Sequence, residues 1–208
     1  MKGISTQEQH SVEFQHVNVK LLLNTPEAVH LDAVIPVFHG WIQEQVFDEL
    51  LLDVADYRHV HEGPGIVLIG HEADYSLDKT DGRLGIRYNR KAPLEGNNQD
   101  RLIQATRAVL NACIRMEQDS RLNGQIAFNG QEIEIFINDR MLAPNLERTR
   151  EAVAPDLDTL LRKLFGSTTY SLEFTTDPRK LLEARIRASR AFSSSELIQN
   201  LAPEGLEL

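Results

Sequence analysis

The chain alternates between short runs of apolar, often β-branched residues and longer stretches in which apolar residues recur every three or four positions. The first pattern has the period of a β-strand, and the second has the period of one face of an α-helix. The predicted strands cover 17–23, 50–54, 66–69, 75–77, 84–88 and 168–174. The predicted helices begin near residues 26, 98, 156 and 179.

Two dipeptides that favour tight turns lie between predicted strands. Asp81-Gly82 predicts one hairpin, and Asn129-Gly130 predicts another between 125–128 and 131–138. The link from Val54 to Ile66 lacks a helical period, which favours antiparallel pairing of the strands that it joins. The order of the elements therefore predicts an α+β fold, a mainly antiparallel sheet with helices packed on it, with a mixed α/β arrangement as the alternative.

No repeat and no linker divides the chain. We expect one domain over 14–192, preceded by a flexible arm over 1–13. After the serines at 193–195, the segment 193–208 is predicted to be a mobile tail or a docking peptide. In the docking case Leu197, Ile198 and Leu201 would enter a groove of the same chain or of a partner.

Charge and composition exclude several classes of function. Lys and Arg number 22 and Asp and Glu 31, which gives a net charge of −9. Such an acidic chain would repel phosphate backbones, so we expect no nucleic-acid partner. No apolar run approaches the roughly 20 residues of a transmembrane helix, and residues 1–15 lack the apolar region of a secretory signal. The single cysteine cannot form an internal disulfide, so a cytoplasmic location is expected.

One loop carries residues suited to metal binding. His59 and His61 would point to the same side of an extended segment, and Glu62 could add a carboxylate ligand. Asp53 and Asp56 are then the candidates for a general base. The pattern lacks a second ligand pair at a known spacing, so the metal site is a hypothesis and no cofactor is identified.

A second candidate cluster consists of His71, Glu72 and Asp74. In an antiparallel hairpin this cluster and the segment from Asp53 to Glu62 lie at opposite ends of the strands, about 15 Å apart. We therefore expect the two groups not to form one site.

The segment 179–190 contains five basic residues and one acid. As a helix it would present a basic face to an anionic partner or to the acidic surface of the same protein. These bases are Arg179, Lys180, Arg185, Arg187 and Arg190.

Two functions from different classes remain. The first is a non-catalytic cytoplasmic interaction or assembly module that binds a protein partner or itself as a homo-oligomer. The alternative is a metal-dependent, hydrolase-like enzyme acting on a small molecule through the loop of His59, His61 and Glu62. A third and weaker possibility is an anion clamp made by Arg140, Arg148 and Arg150.

Overall fold

A computed structural model describes residues 12–202 of the chain, so the predicted arm lies almost entirely outside the described residues. The strands are β1 (Val17–Leu23), β2 (Leu51–Tyr57), β3 (Gly65–Gly70), β4 (Ala73–Asp78), β5 (Gly85–Arg90), β6 (Phe128–Ile137), β7 (Tyr170–Phe174) and β8 (Leu182–Ala188). The α-helices are α1 (Val34–Glu44), α2 (Asn98–Gln118), α3 (Glu147–Phe165) and α4 (Ser194–Asn200).

The strands form one sheet in the order β2-β3-β4-β5-β1-β6-β8-β7. Every pairing in it is antiparallel, and the helices pack against it. The predicted α+β class is therefore confirmed. The predicted hairpins β2–β3 and β4–β5 are also present.

The central strand β1 shows why the sheet has two chemically different faces. Because side chains alternate along a strand, Val19 and Leu21 reach the apolar core while Asn18 and Lys20 point the other way. The neighbouring strands repeat this division in register. We call the second surface the polar face. Its residues on the central strands are Asn18, Lys20, Ser76, Asp78, Arg87, Asn89, Glu132, Glu134, Phe136, Glu183, Arg185 and Arg187.

Helix α2 lies over β1 and β5 and is the main covering element of the core. It begins with a capping box in which Asn97 and Asp100 each bond to the other's backbone N–H. Its buried side includes Cys113, which has no solvent exposure. The short helix α4 packs on α2 and α3.

Asn129-Gly130 is not a hairpin turn, and this prediction is wrong. Residues 128–137 form the single strand β6, whose pairing with β1 shifts register between Leu21 and Leu22. A Cβ atom on Gly130 would lie 2.3 Å from the backbone oxygen of Phe192. The glycine is therefore required by a close approach of two backbone segments rather than by a turn.

The basic segment is a strand and not a helix. In β8 Leu182, Ala184 and Ile186 face the core, and the charged residues between them lie on the polar face. The period of two was present in the sequence, but the high helix propensity of Leu, Glu, Ala and Arg concealed it.

Helix α3 is longer than predicted and begins at Glu147 rather than near residue 156. Pro155 lies inside it. Thr149, Val153 and Leu157 are buried, so the spacing of four continues across the proline. The free energy gained by packing this face exceeds the cost of losing the backbone hydrogen bond that the proline cannot donate.

Candidate functional site

The turn between β2 and β3 holds the predicted metal ligands. His59, His61 and Glu62 are all exposed, and the Glu62 backbone has a positive φ of 51°. Beside them Asp56 accepts hydrogen bonds from the Arg58 side chain and backbone. These bonds lower the pKa of Asp56 to about 2. A carboxylate with so low a pKa is a weak proton acceptor at neutral pH.

Asp53 lies at the other end of this hairpin. Strand β2 extends to Tyr57, so Asp53 is opposite Ile69, two residues before His71. The expected grouping of Asp53 with the turn is therefore wrong, because the strand continues three residues beyond its predicted end. Asp53 Oδ1 accepts the Val54 N–H at 2.7 Å.

The second candidate cluster is divided among separate partners. His71 Nδ1 is 3.4 Å from Glu72 Oε1, whereas Asp74 pairs with Lys91 at 2.7 Å. Within residues 12–202, no three His, Cys, Asp or Glu side chains are arranged to hold a metal ion. The same part of the chain contains no helix both long and apolar enough to cross a membrane.

The five bases predicted to bind a partner each lie beside an acid of the same chain. Their partners are Asp177 for Arg179, Asp81 for Lys180 and Arg185, Glu132 for Arg187, and Glu196 for Arg190. The predicted docking leucines contact the protein's own core. Leu197 and Leu201 are buried under α2 and α3, and Ile198 is partly buried beside them.

Two concavities lie on the helical side, on the two flanks of α2. A cavity of about 550 Å³ separates α2 from residues 47–49, and a cavity of about 780 Å³ lies between α2 and the ends of α3 and α4. Asp100, Ile103 and Arg107 line both. The two cavities therefore adjoin across the outer surface of α2, and we call the pair the α2 groove.

Glu49 is the central polar group of the first cavity. Its carboxylate accepts hydrogen bonds from Tyr88 Oη at 2.7 Å and from Tyr75 Oη at 3.3 Å. Gln104 Nε2 donates to Tyr88 Oη at 2.8 Å, and Arg90 Nη1 is 3.7 Å from Glu49. Burial, together with the Glu49 charge, raises the pKa of both phenols, so they stay protonated as donors.

The two ends of the α2 groove differ in charge. Asp48, Glu49 and Arg90 line the first cavity, and the second is lined by Lys163 and by Arg162, which also pairs with Asp158. Apolar side chains of Phe47, Tyr75, Ile103, Ala108 and Leu201 lie between and beneath these groups. This arrangement suits a ligand that is long, partly apolar and oppositely charged at its ends.

On the polar face, several charged side chains are buried although none of the four α-helices in residues 12–202 covers them. Lys20, Asp78, Glu134 and Glu183 are each no more than 3% exposed. The loop between β4 and β5 covers them, since Asp81 pairs with Lys180 and Arg185 beyond the centre of the sheet. Strand β8 is three strand spacings from β5, or about 14 Å, so this loop folds across the face.

Sequence reasoning did not find the groove or the buried polar network. Glu49 is 39 residues from Tyr88 and Lys20 is 58 residues from Asp78, so neither pair has a local signature. One signal was available, namely that Asn18 and Lys20 alternate with apolar residues in β1. Comparison of the chain with family models, curated proteins and solved structures found no match.

Proposed function

We propose that the protein is a non-catalytic interaction module that binds an extended segment of a partner protein in the α2 groove. The observation that carries this proposal is the pair of adjoining cavities, with Asp48 and Glu49 at one end and Arg162 and Lys163 at the other. A helix is about 10–12 Å wide, so the groove with both flanks accommodates roughly six residues of extended chain.

The charges define the partner segment. A basic side chain of the segment would face Asp48, and an acidic side chain would face Arg162 and Lys163. Apolar side chains between them would contact Ile103 and Phe47. Opposed charges fix the direction of the bound segment, and the apolar contacts supply the affinity.

The test is selection of peptides from a random dodecapeptide library displayed on phage, with the full chain as bait. Enriched peptides should combine basic and acidic residues separated by apolar ones, and fluorescence polarisation should give a dissociation constant for each. Reversal of charge at both ends, Asp48→Lys with Lys163→Glu, should weaken binding by about tenfold or more. Arg148→Glu makes the same change of charge as Lys163→Glu, but at the exposed far end of α3, and should leave binding unchanged.

Two results would contradict the proposal. One is a selection that enriches no peptide above background. The other is a peptide whose affinity is the same for the charge-reversed and unsubstituted proteins, because it would then bind elsewhere.

Self-association remains a prediction. The leucines that motivated it contact the protein's own core, so any interface between copies must use other surfaces. Light scattering of the full chain over a hundredfold range of concentration checks it, and a monomer throughout would contradict it. No observation favours the metal-dependent enzyme, whose proposed ligands lie exposed on a turn.

A further inference from the structure

The buried charges of the polar face do not pair completely. Asp78 Oδ1 is 2.6 Å from Lys20 Nζ, and its Oδ2 accepts the Thr80 hydroxyl at 2.9 Å. Glu134 Oε1 is 2.9 Å from Arg83 Nε, and Glu183 Oε1 is 2.6 Å from Arg185 Nε. Asp78 and Glu183 therefore have hydrogen-bond donors other than Arg87, whereas Glu134 Oε1 has an ion-pair partner in Arg83 but no hydrogen bond in the described part of the chain.

Arg87 is the cation of this group whose guanidinium lacks a hydrogen bond in residues 12–202. Its side chain is 17% exposed, and its nearest acid is Asp78 at 4.0 Å, beyond hydrogen-bond distance. Burial lowers the pKa of Arg87, and the charges of Asp78, Glu134 and Glu183 only partly offset this effect, so a guanidinium without a hydrogen bond is costly here.

Asn18 lies beside this guanidinium and is also unsatisfied. It is 0% exposed, and neither its Nδ2 nor its Oδ1 has a hydrogen-bond partner in the described structure. Arg87 starts on β5 opposite Lys20, crosses β1 and stacks on Phe136, the cross-strand neighbour of Asn18, at 4.3 Å. The Asn18 amide and the Arg87 guanidinium therefore lie at the same position on the polar face.

We propose that Arg87 and Asn18 form a binding site for a small oxyanion, namely a carboxylate or phosphate group. A guanidinium matches two oxygens of such a group with parallel N–H donors, and stacking on Phe136 holds its plane while leaving the N–H edge free. Asn18 Nδ2 supplies a further donor. The site lies on the opposite side of the sheet from the α2 groove and does not depend on the proposed function.

The first experiment uses the full, unsubstituted chain. Its melting temperature is measured in increasing potassium phosphate and, separately, in increasing sodium succinate, with potassium chloride at equal ionic strength as the reference. A saturable rise above the chloride reference is expected with at least one of the two anions. A rise with phosphate alone would identify the ligand as a phosphate group, and a rise with succinate alone would identify it as a carboxylate. A rise with both would show that the site accepts either group. No saturable rise with either anion would overturn the proposal.

Arg87→Gln tests the residue, with Arg187→Gln as the control. Both arginines lie on the polar face, but Arg187 is 64% exposed and paired with Glu132. Arg87→Gln should bind the anion about tenfold more weakly or worse and should melt at a higher temperature in plain buffer, because the unpaired charge is gone. Arg187→Gln should bind as the unsubstituted protein does. Unchanged binding in Arg87→Gln would overturn the proposal.

Asn18→Asp is a second variant, which adds a negative charge beside Arg87 instead of removing the positive charge. It places a carboxylate beside Arg87 with almost no change in size, so the protein itself supplies the missing anion. We expect a higher melting temperature in plain buffer and loss of the phosphate or succinate effect. If Arg87 were already compensated, both variants would melt at a lower temperature than the unsubstituted protein, and that result would overturn the proposal.

Discussion

At the scale of single residues, the pairing of Asp56 with Arg58 shows how an exposed contact can set a proton affinity. The Arg58 guanidinium and backbone N–H both donate to the same carboxylate, whose side chain is 40% exposed. Because the pKa in the folded protein lies below the usual value of about 3.9, the pairing stabilises the fold above that pH. This contribution is lost as the pH falls through about 2.

Arg58→Ala should return the pKa of Asp56 towards the ordinary range for aspartate, a rise of more than one unit. The carboxyl chemical shift of Asp56, followed by NMR between pH 1.5 and 6, measures it. Arg162→Ala removes an arginine from a different aspartate and serves as the control, since it should leave the Asp56 titration unchanged. An Asp56 pKa that stays near 2 in Arg58→Ala would show that another group holds the carboxylate ionised.

At the scale of elements, α4 is part of the core. Leu197 is 0% exposed and packs where α2 and α3 meet, while Ser193 caps the helix by accepting the Glu196 N–H. Leu197→Ala should reduce the free energy of unfolding by about 2–5 kcal/mol because it leaves a cavity. Urea denaturation measures the loss. Ile198→Ala, in the same helix but only partly buried, should cost clearly less, and equal losses would contradict this placement.

The close approach at Gly130 gives a second prediction for an element. Gly130→Ala should lower the free energy of unfolding by about 1–3 kcal/mol, since the new methyl group would overlap the Phe192 carbonyl. The same denaturation measurement checks it. At Gly82 a Cβ would meet nothing within 4 Å, so Gly82→Ala reports the cost of the positive φ alone. If Gly130→Ala were neutral, the segments would not be in contact.

These elements also show what the sequence could reveal. The turn at Asp81-Gly82 and helix α2 follow from neighbouring residues, through a turn dipeptide and a capped amphipathic period, and both were predicted. The hairpin predicted at Asn129-Gly130 is absent because this glycine is required by the close approach of Phe192, which is 62 residues away. The α2 groove and the Arg87–Asn18 site depend on register and on contacts between distant strands, which periodicity cannot supply.

At the scale of the whole molecule, the β4–β5 loop joins the two halves of the sheet. Asp81 lies between β4 and β5, whereas Lys180 and Arg185 belong to the β7–β8 hairpin. The hydrogen bond from Lys180 lowers the pKa of Asp81, so these pairs hold at neutral pH and weaken as acid protonates the carboxylate.

This covering loop should protect Lys20 from chemical modification. With an amine-acylating reagent at pH 8, Lys20 should react far more slowly than the exposed Lys163, as measured by mass spectrometry of peptides. Asp81→Asn weakens the link between the halves and should speed the reaction at Lys20 several-fold without changing Lys163. Equal rates at both lysines in the unsubstituted protein would contradict a closed face.

The burial of Cys113 has a practical consequence. It is the single cysteine of the chain, it is 0% exposed on the buried side of α2, and burial raises the pKa of its thiol. A disulfide reagent such as Ellman's reagent can therefore modify the native protein only after α2 separates from the sheet. Each chain releases one equivalent of the coloured thiolate, so the rate of colour release measures how fast α2 separates from the sheet in the unsubstituted protein.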